Sequence, residues 1–454
     1  MRFLASEVAS ATGGRLVGPD VELHGASFDS RSIEPGVLFV PLIADRDGHE
    51  FLPAAAAAGA GASLSSRPAP ELLALTTIEV DDTARALMDL AAWARGRLTG
   101  TVVGITGSVG KTSTKDLAVA ALRAGRRVAA NVRSFNNEQG LPVTVLGAPD
   151  DVEVLLLEMG TRGAGEIARL CAVARPEIGV VTSVGAAHSE LLGGIEGVAK
   201  AKGELVEALP STGTAILNAD DERVAAMAGR SAAGVLRYGR HRDSEVRIHD
   251  LRLDELARAT FEVHTPWGRA DVRLAVSGAH MASNAGAALA VAGVVGVPIA
   301  DAAAAVGRAE LSARRMQLLP AAAGGLVIND AYNANPASVA AALDALAAMD
   351  AERRIAVLGL MAELADPSGE HRRIAACAEC LGIELVAVET DLYGAEPIGL
   401  AGVSARLGVL EPGTVVLVKG SLVAGLGPVA DALAAPATVM SDVRSGGADR
   451  SSRR

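Results

Sequence analysis

The stretch from Thr101 to Arg123 constrains the fold most. Thr101-Val102-Val103-Gly104-Ile105-Thr106 is an apolar, β-branched run that predicts a buried strand. Gly107-Ser108-Val109-Gly110 predicts a turn, and a helical pattern runs from Lys111 to about Arg123. Strand, glycine-rich turn and helix in that order point to a parallel sheet covered by helices. The turn also has a chemistry. Glycines let the backbone wrap a phosphate with its N–H groups, and a helix start adds a favourable dipole. Thr106, Gly107, Ser108, Val109, Gly110, Lys111, Thr112 and Ser113 are therefore the candidate cradle for a nucleotide. Lys111 is suited to neutralise the β and γ phosphates, and the Thr112 hydroxyl to bind Mg²⁺. Ile105 stands where the longer G-x-x-x-x-G-K-[ST] pattern has glycine, so the match is to a tighter T-G-x-x-G-K-T form.

At 454 residues the chain exceeds one ordinary core, and two or three domains are expected. Aromatic residues make up only 2%, so the cores must rest on Ala, Val and Leu. A formal net charge of −11 argues against a general nucleic-acid binder, which needs a basic face. Three cysteines (Cys171, Cys377 and Cys380) suit a reducing compartment. Cys377-x-x-Cys380 has no second pair, so zinc is not expected. The chain shows no signal-peptide pattern and no apolar run near the ~20 residues that span a bilayer. We expect a cytoplasmic protein without a membrane span.

The alternation of elements predicts an α/β chain. Residues 1 to 98 read as a small unit, with a strand in Gly36–Leu42 and helices over Pro53–Gly61 and Asp82–Leu98. After Thr101, strands are predicted at Val152–Leu157, Ile178–Val184 and Ala215–Leu217, then an antiparallel hairpin in 245–277 around Thr265-Pro266-Trp267-Gly268. A helix over His280–Val295 follows. A third unit starts near Leu311, with strands at Leu326–Ile328, Ile355–Leu358, Leu385–Val388 and Val415–Val418. The polar tail from Ser441 reads as disordered.

Thr106-Gly107-Ser108-Val109-Gly110-Lys111-Thr112 resembles the P-loop of the Mur ligase family, and further motifs stand in that family's order. They are Asp29-Ser30-Arg31, Asp47-Gly48-His49, Ser134-Phe135-Asn136-Asn137, Glu158-Met159-Gly160, Gly185-Ala186-Ala187-His188, Lys200-Ala201-Lys202-Gly203-Glu204, His280-Met281-Ala282-Ser283-Asn284, Arg315-Met316, Asp330-Ala331-Tyr332-Asn333-Ala334-Asn335-Pro336 and Lys419-Gly420-Ser421. The resemblance implies three domains: a UDP-substrate-binding unit over 1–98, a central P-loop ATPase unit over 99–311 and a Rossmann-like unit over 312–440, with 441–454 as tail. It implies an ATP-dependent ligase acting on a UDP-N-acetylmuramoyl-tripeptide and D-alanyl-D-alanine, and we expect a monomer. Glu158-Met159-Gly160 and Tyr332-Asn333-Ala334-Asn335-Pro336 favour this dipeptide-adding branch. The Asp-Asn-Pro-Arg run of the diamino-acid branch is absent. Leu360 and Leu422 depart from the pattern, which usually has Asp and Arg there, so a P-loop switch without ligase activity is the rival reading.

Joining a carboxylate to an amine needs a leaving group, which ATP supplies as an acyl phosphate. That transfer brings two anions together, so positive charge must gather around it. Lys111, His188 and Lys202 are the candidate catalytic residues, and Thr112, Glu158, His188 and Lys202 the candidate Mg²⁺ ligands. Alone, His188 would read as a surface-loop histidine. The resemblance implies that Lys202 is carbamylated; otherwise it is a solvated helix lysine like Lys200. Asn284, Arg315 and Asp330 are expected at the nucleotide. Ser30, Arg31, Asn136 and Asn137 are expected at the UDP-sugar peptide, although Arg31 equally suits a surface ion pair. Asn333 and Asn335 either meet substrate or cap the helix after Pro336.

Overall fold

The computed structural model describes residues 1–68, 75–132, 135–186 and 189–434. Ser134, His188 and the tail from Ser441, singled out above, lie outside the described residues.

The first unit is a five-stranded sheet in the order Arg15–Val17, Thr76–Glu79, Ala62–Ser65, Leu38–Phe39 and Ala26–Ser27. The apolar run expected as one strand over Gly36–Leu42 pairs only through Leu38–Phe39. Pro41 has no N–H with which to lengthen the ladder. The helix Thr83–Arg97 starts at Asp82, whose carboxylate accepts the N–H groups of Ala84 and Arg85. Such a cap is worth about 1 kcal/mol. Ala86, Leu87, Leu90, Ala91 and Ala94 form its buried face. That face joins a core shared with Leu141, Val145 and Leu170 of the second unit.

The second unit is built on a nine-stranded sheet. Its functional elements are β1 (Thr101–Thr106), α1 (Lys111–Arg123), β2 (Val154–Glu158), β3 (Ile178–Val181), α2 (Ile195–Glu207) and α3 (His280–Val294). β1 lies between β2 and β3, parallel to both. Thr214–Asn218 and Gly234–Gly239 extend the parallel part beyond β3. Residues 245–277 are a three-stranded meander, Val246–Leu253, Arg258–Thr265 and Gly268–Ser277, where a single hairpin was expected. The first strand adds to Gly234–Gly239 in parallel, so the meander continues the main sheet. α3 is Ala- and Gly-rich and buried almost all round. It packs on α1 on one side and on the sheet on the other. Small side chains are what allow a helix to lie that close to two layers.

The third unit is a five-stranded sheet containing β4 (Leu326–Asn329), α4 (Pro336–Ala348), β5 (Arg353–Leu358) and β6 (Thr414–Lys419). The order is Gln317–Pro320, β4, β6, β5 and Glu384–Ala387, parallel except for the first strand. The cysteine pair lies on the helix Pro367–Cys380, and all three cysteines are free thiols. No helix among the described residues is long and apolar enough to cross a membrane.

Candidate active site

Register brings the C-terminal ends of β1, β2 and β3 together. Glu158 sits across from Ile105, and Val181 across from Thr106. The turn after β1 therefore emerges between Glu158 and the loop after β3, where open α/β sheets take their ligands. Gly107 has φ +150°, and a Cβ there would lie 1.9 Å from the Thr182 hydroxyl. Gly110 has φ +85°, and its Cβ would lie 2.5 Å from Asn284 Oδ1. Only glycine fits both places.

The loop is tied down on one side and open on the other. The Ser108 N–H donates to the Ser183 carbonyl at 2.8 Å, and the Val109 N–H to Ser183 Oγ at 3.0 Å. No side chain caps α1. Its first-turn N–H groups, from Lys111, Thr112 and Ser113, have no intrahelical acceptor and suit an anion. Lys111 Nζ donates to the Gly107 carbonyl at 2.6 Å. Burial lowers its pKa, Glu158 opposes the shift, and Arg315 adds to it. Asn284 hangs from α3 over the loop, accepting from Thr114 Oγ1 at 3.3 Å.

Beside the loop, the Thr112 hydroxyl donates to Glu158 Oε2 at 2.8 Å, and Asn136 Nδ2 donates to Oε1 at 2.7 Å. Glu158 is 1% exposed and Thr112 3%. A carboxylate and a hydroxyl side by side are the oxygen donors that a hard cation such as Mg²⁺ takes. Lys202 is 2% exposed. It stands in the apolar stripe Val198, Ala201, Lys202, Leu205 of α2, whereas Lys200 is exposed. That i, i+3, i+4, i+7 spacing marks it as inward-facing in the sequence. No described residue accepts a hydrogen bond from its Nζ or pairs with it, and burial next to Lys111 drives its pKa well below the lysine range. Burial thus favours the neutral amine of Lys202 over its ammonium form.

From the third unit, Asp330 receives Lys419 Nζ at 2.6 Å and the Met316 N–H at 3.1 Å. Arg315 lies over the Tyr332 ring, 4.4 Å from its centroid. Residues 108–113, Asn136, Glu158, Lys202, Asn284, Arg315, Met316, Asp330, Tyr332 and Lys419 line one cleft of about 940 Å³ where the second and third units meet, and Leu42 and Arg85 of the first unit line it as well. Asn137 and Asn333 line it too. Ser30 and Arg31 do not; Arg31 pairs with Asp29 at 2.8 Å. Asn335 accepts the Ser338 N–H at 3.0 Å in a capping box at the start of α4. Asn335→Ala is expected to lower stability by about 1 kcal/mol in denaturant unfolding. An unchanged KM for the amine substrate would leave capping as its whole role.

Five lining residues were given no role in the sequence reading, and His280, like Tyr332 and Lys419, stood there only inside a motif. His280 is held near pKa 4 by burial, with Asp330 opposing and Lys419 adding to the shift. It lies one helical turn before Asn284, a spacing that could have exposed it. Arg162 and Glu363 also face the cleft and pair across the two units at 3.4 Å.

The sequence model of the Mur ligase middle domain matches residues 105–292, and that of the Mur ligase glutamate ligase domain matches 314–422. The UDP-N-acetylmuramoyl-tripeptide–D-alanyl-D-alanine ligase of Mycobacterium tuberculosis is 41% identical, over 96% of this chain and 99% of that protein. The chain belongs to the Mur ligase family. The Escherichia coli protein of the same name is 36% identical, over 84% of each chain. Among solved Mur ligases, MurF from Acinetobacter baumannii superposes with a TM-score of 0.85 at 27% identity, covering 95% of this chain and 99% of that one. MurF from Thermotoga maritima, solved in complex with ADP, superposes with a TM-score of 0.78 at 25% identity, covering 90% and 96%. Family membership makes this chain an ATP-dependent ligase that forms amide bonds.

Proposed function

We propose that this chain works as a cytoplasmic monomer that adds D-alanyl-D-alanine to UDP-N-acetylmuramoyl-tripeptide in peptidoglycan precursor synthesis. The tripeptide carboxylate attacks the γ phosphorus of ATP, giving an acyl phosphate and ADP. The dipeptide amine then attacks the acyl carbon, and phosphate leaves. The observation that carries this reading is the meeting of Lys111, Glu158, Lys202 and Arg315 around one cleft lined by all three units.

Each residue has a task fitted to its surroundings. Lys111 and the first-turn N–H groups of α1 hold the phosphates, while Asn284, Arg315 and Asp330 hold the nucleotide from the other wall. Asn136 and Asn137 face the tripeptide. Thr112 and Glu158 would hold Mg²⁺, which supplies charge neutralisation at the transferring phosphoryl group, and His188 is a further candidate ligand from its sequence motif. Burial favours the neutral form of Lys202, and a neutral amine can add carbon dioxide at nitrogen and release a proton, giving a carbamate. That exchanges a potential cation for an anionic oxygen donor. Leu422 and Val423 turn 62% and 76% exposed apolar surface to the same cleft. An apolar wall there suits the methyl side chains of the dipeptide. The backbone of Ser421 donates to the Leu360 carbonyl at 2.9 Å, so both departures from the family pattern fall in adjacent loops of the amine side.

Phosphate release in a coupled assay tests the reading. Release is expected only with UDP-tripeptide, dipeptide and ATP together. Equal release from ATP alone would favour a P-loop switch, and preference for a single amino acid would favour a sister ligase.

A further inference from the structure

We propose that Asp116 is a positioning residue that fixes the linker between the second and third units so that Arg315 reaches the nucleotide phosphates. The inference rests on the reading that Arg315 faces those phosphates.

Asp116 lies on α1 four residues after Thr112, on the helix whose first turn is the phosphate end. Its Oδ2 accepts the backbone N–H of Ser312 at 2.7 Å, a contact across 196 residues of sequence. Its Oδ1 lies 3.2 Å from Lys115 Nζ, and its side chain is 12% exposed. The linker is thus gripped from the second unit three residues before Arg315. From the third unit, Asp330 grips it one residue after, through the Met316 N–H. Between the grips, Arg314 has φ +62° and Met316 φ +48°. Side-chain-bearing residues avoid that left-handed region, so the surroundings must impose this path. The path leaves the Arg315 guanidinium over Tyr332 at the cleft. One rigid helix therefore sets both where the phosphates sit and where the linker turns. Loosening the Ser312 contact frees Arg315 to drift, and a drift of about 1 Å in a positioning group can cost up to a hundredfold in rate.

A double-mutant cycle on the full-length enzyme separates this role from a structural one. Turnover is read as phosphate release with all three substrates. Arg315→Ala and Asp116→Ala are each expected to lower kcat, the latter on the order of ten- to a hundredfold, with KM for ATP changed far less. Asp116→Asn keeps an acceptor for the Ser312 N–H and should restore most of the loss. With Arg315 already removed, Asp116→Ala should add nothing. Multiplying effects would overturn the proposal. They would assign the loss to Lys115, which donates to the Asn131 carbonyl at 3.0 Å and so reaches Glu158. Wild-type kcat in Asp116→Ala overturns it as well. Wild-type kcat in Arg315→Ala instead removes the phosphate role of Arg315, and the positioning role falls with it. The same cycle with Asp116→Leu, which fills the vacated space, serves if the alanine variant does not fold.

Discussion

Lys111→Ala is expected to abolish turnover, by about a thousandfold or more, because preorganised charge around a transferring phosphoryl group is the main source of rate in such sites. Lys111 is the first residue of α1, and its amine reaches back to the Gly107 carbonyl. It therefore arches over the site where the β and γ phosphates are proposed to lie. The fold should survive its loss. Lys111 makes no ion pair among the described residues, and its ammonium is disfavoured by burial. Phosphate release with all three substrates reads the activity, and thermal melting reads the fold. A variant that turns over near the wild-type rate would remove the assigned role. One that does not fold would give Lys111 a structural role instead.

Lys202→Met is expected to remove activity, again by about a thousandfold, while making the apo protein more stable. The two signs differ because the same burial that suits Lys202 to carbamate chemistry opposes its charge. Methionine has a similar length and packs in the stripe of Val198, Ala201 and Leu205. The Lys202 amine has no acceptor among the described residues, and relief of a buried polar group in that position is worth about 1 to 3 kcal/mol. The pH dependence has a definite direction. The folded-state pKa lies well below the unfolded value of about 10.4, so between the two the unfolded chain binds more protons. Wild-type stability contributed by this group therefore rises with pH through that window. The advantage of methionine should be largest at low pH and shrink toward pH ~10. Denaturant unfolding at several pH values in bicarbonate-free buffer measures it. A methionine variant less stable than wild type at pH 7 would show that Lys202 has a stabilising partner.

The local grammar of the sequence carried the centre of the molecule well. Thr101–Thr106 and Lys111–Arg123 are a strand and a helix because their signals, an apolar run, two glycines and a Gly-Lys-Thr boundary, all act over a few residues. The outer elements were less legible. Strands of two or three residues, such as Ala26–Ser27, are too short to show a period. Gln317–Pro320 reads as linker, since a proline ends it and it joins the sheet only by pairing with β4. Within the site, Glu158 was readable as a strand end, but its partnership with Thr112 depends on strand order. The Asp116–Ser312 contact is invisible from sequence because only tertiary packing brings those positions together. Asn335 and Arg31 were read with two roles each. The structure shows a capping box at the first and a local ion pair at the second.

The alanine-rich helix α3 acts as a shim between the sheet and the nucleotide-binding helix. Alanine and glycine fill most of its buried positions, and Asn284 hangs from its lower side above Gly110. A single extra methyl on its inner face, for instance at Gly286, would bring a Cβ to 3.2 Å from Ile248, so either that side chain gives way or the shim tilts. Any such tilt changes the headroom above the phosphates, so the fit of ATP is decided partly by residues that never touch it.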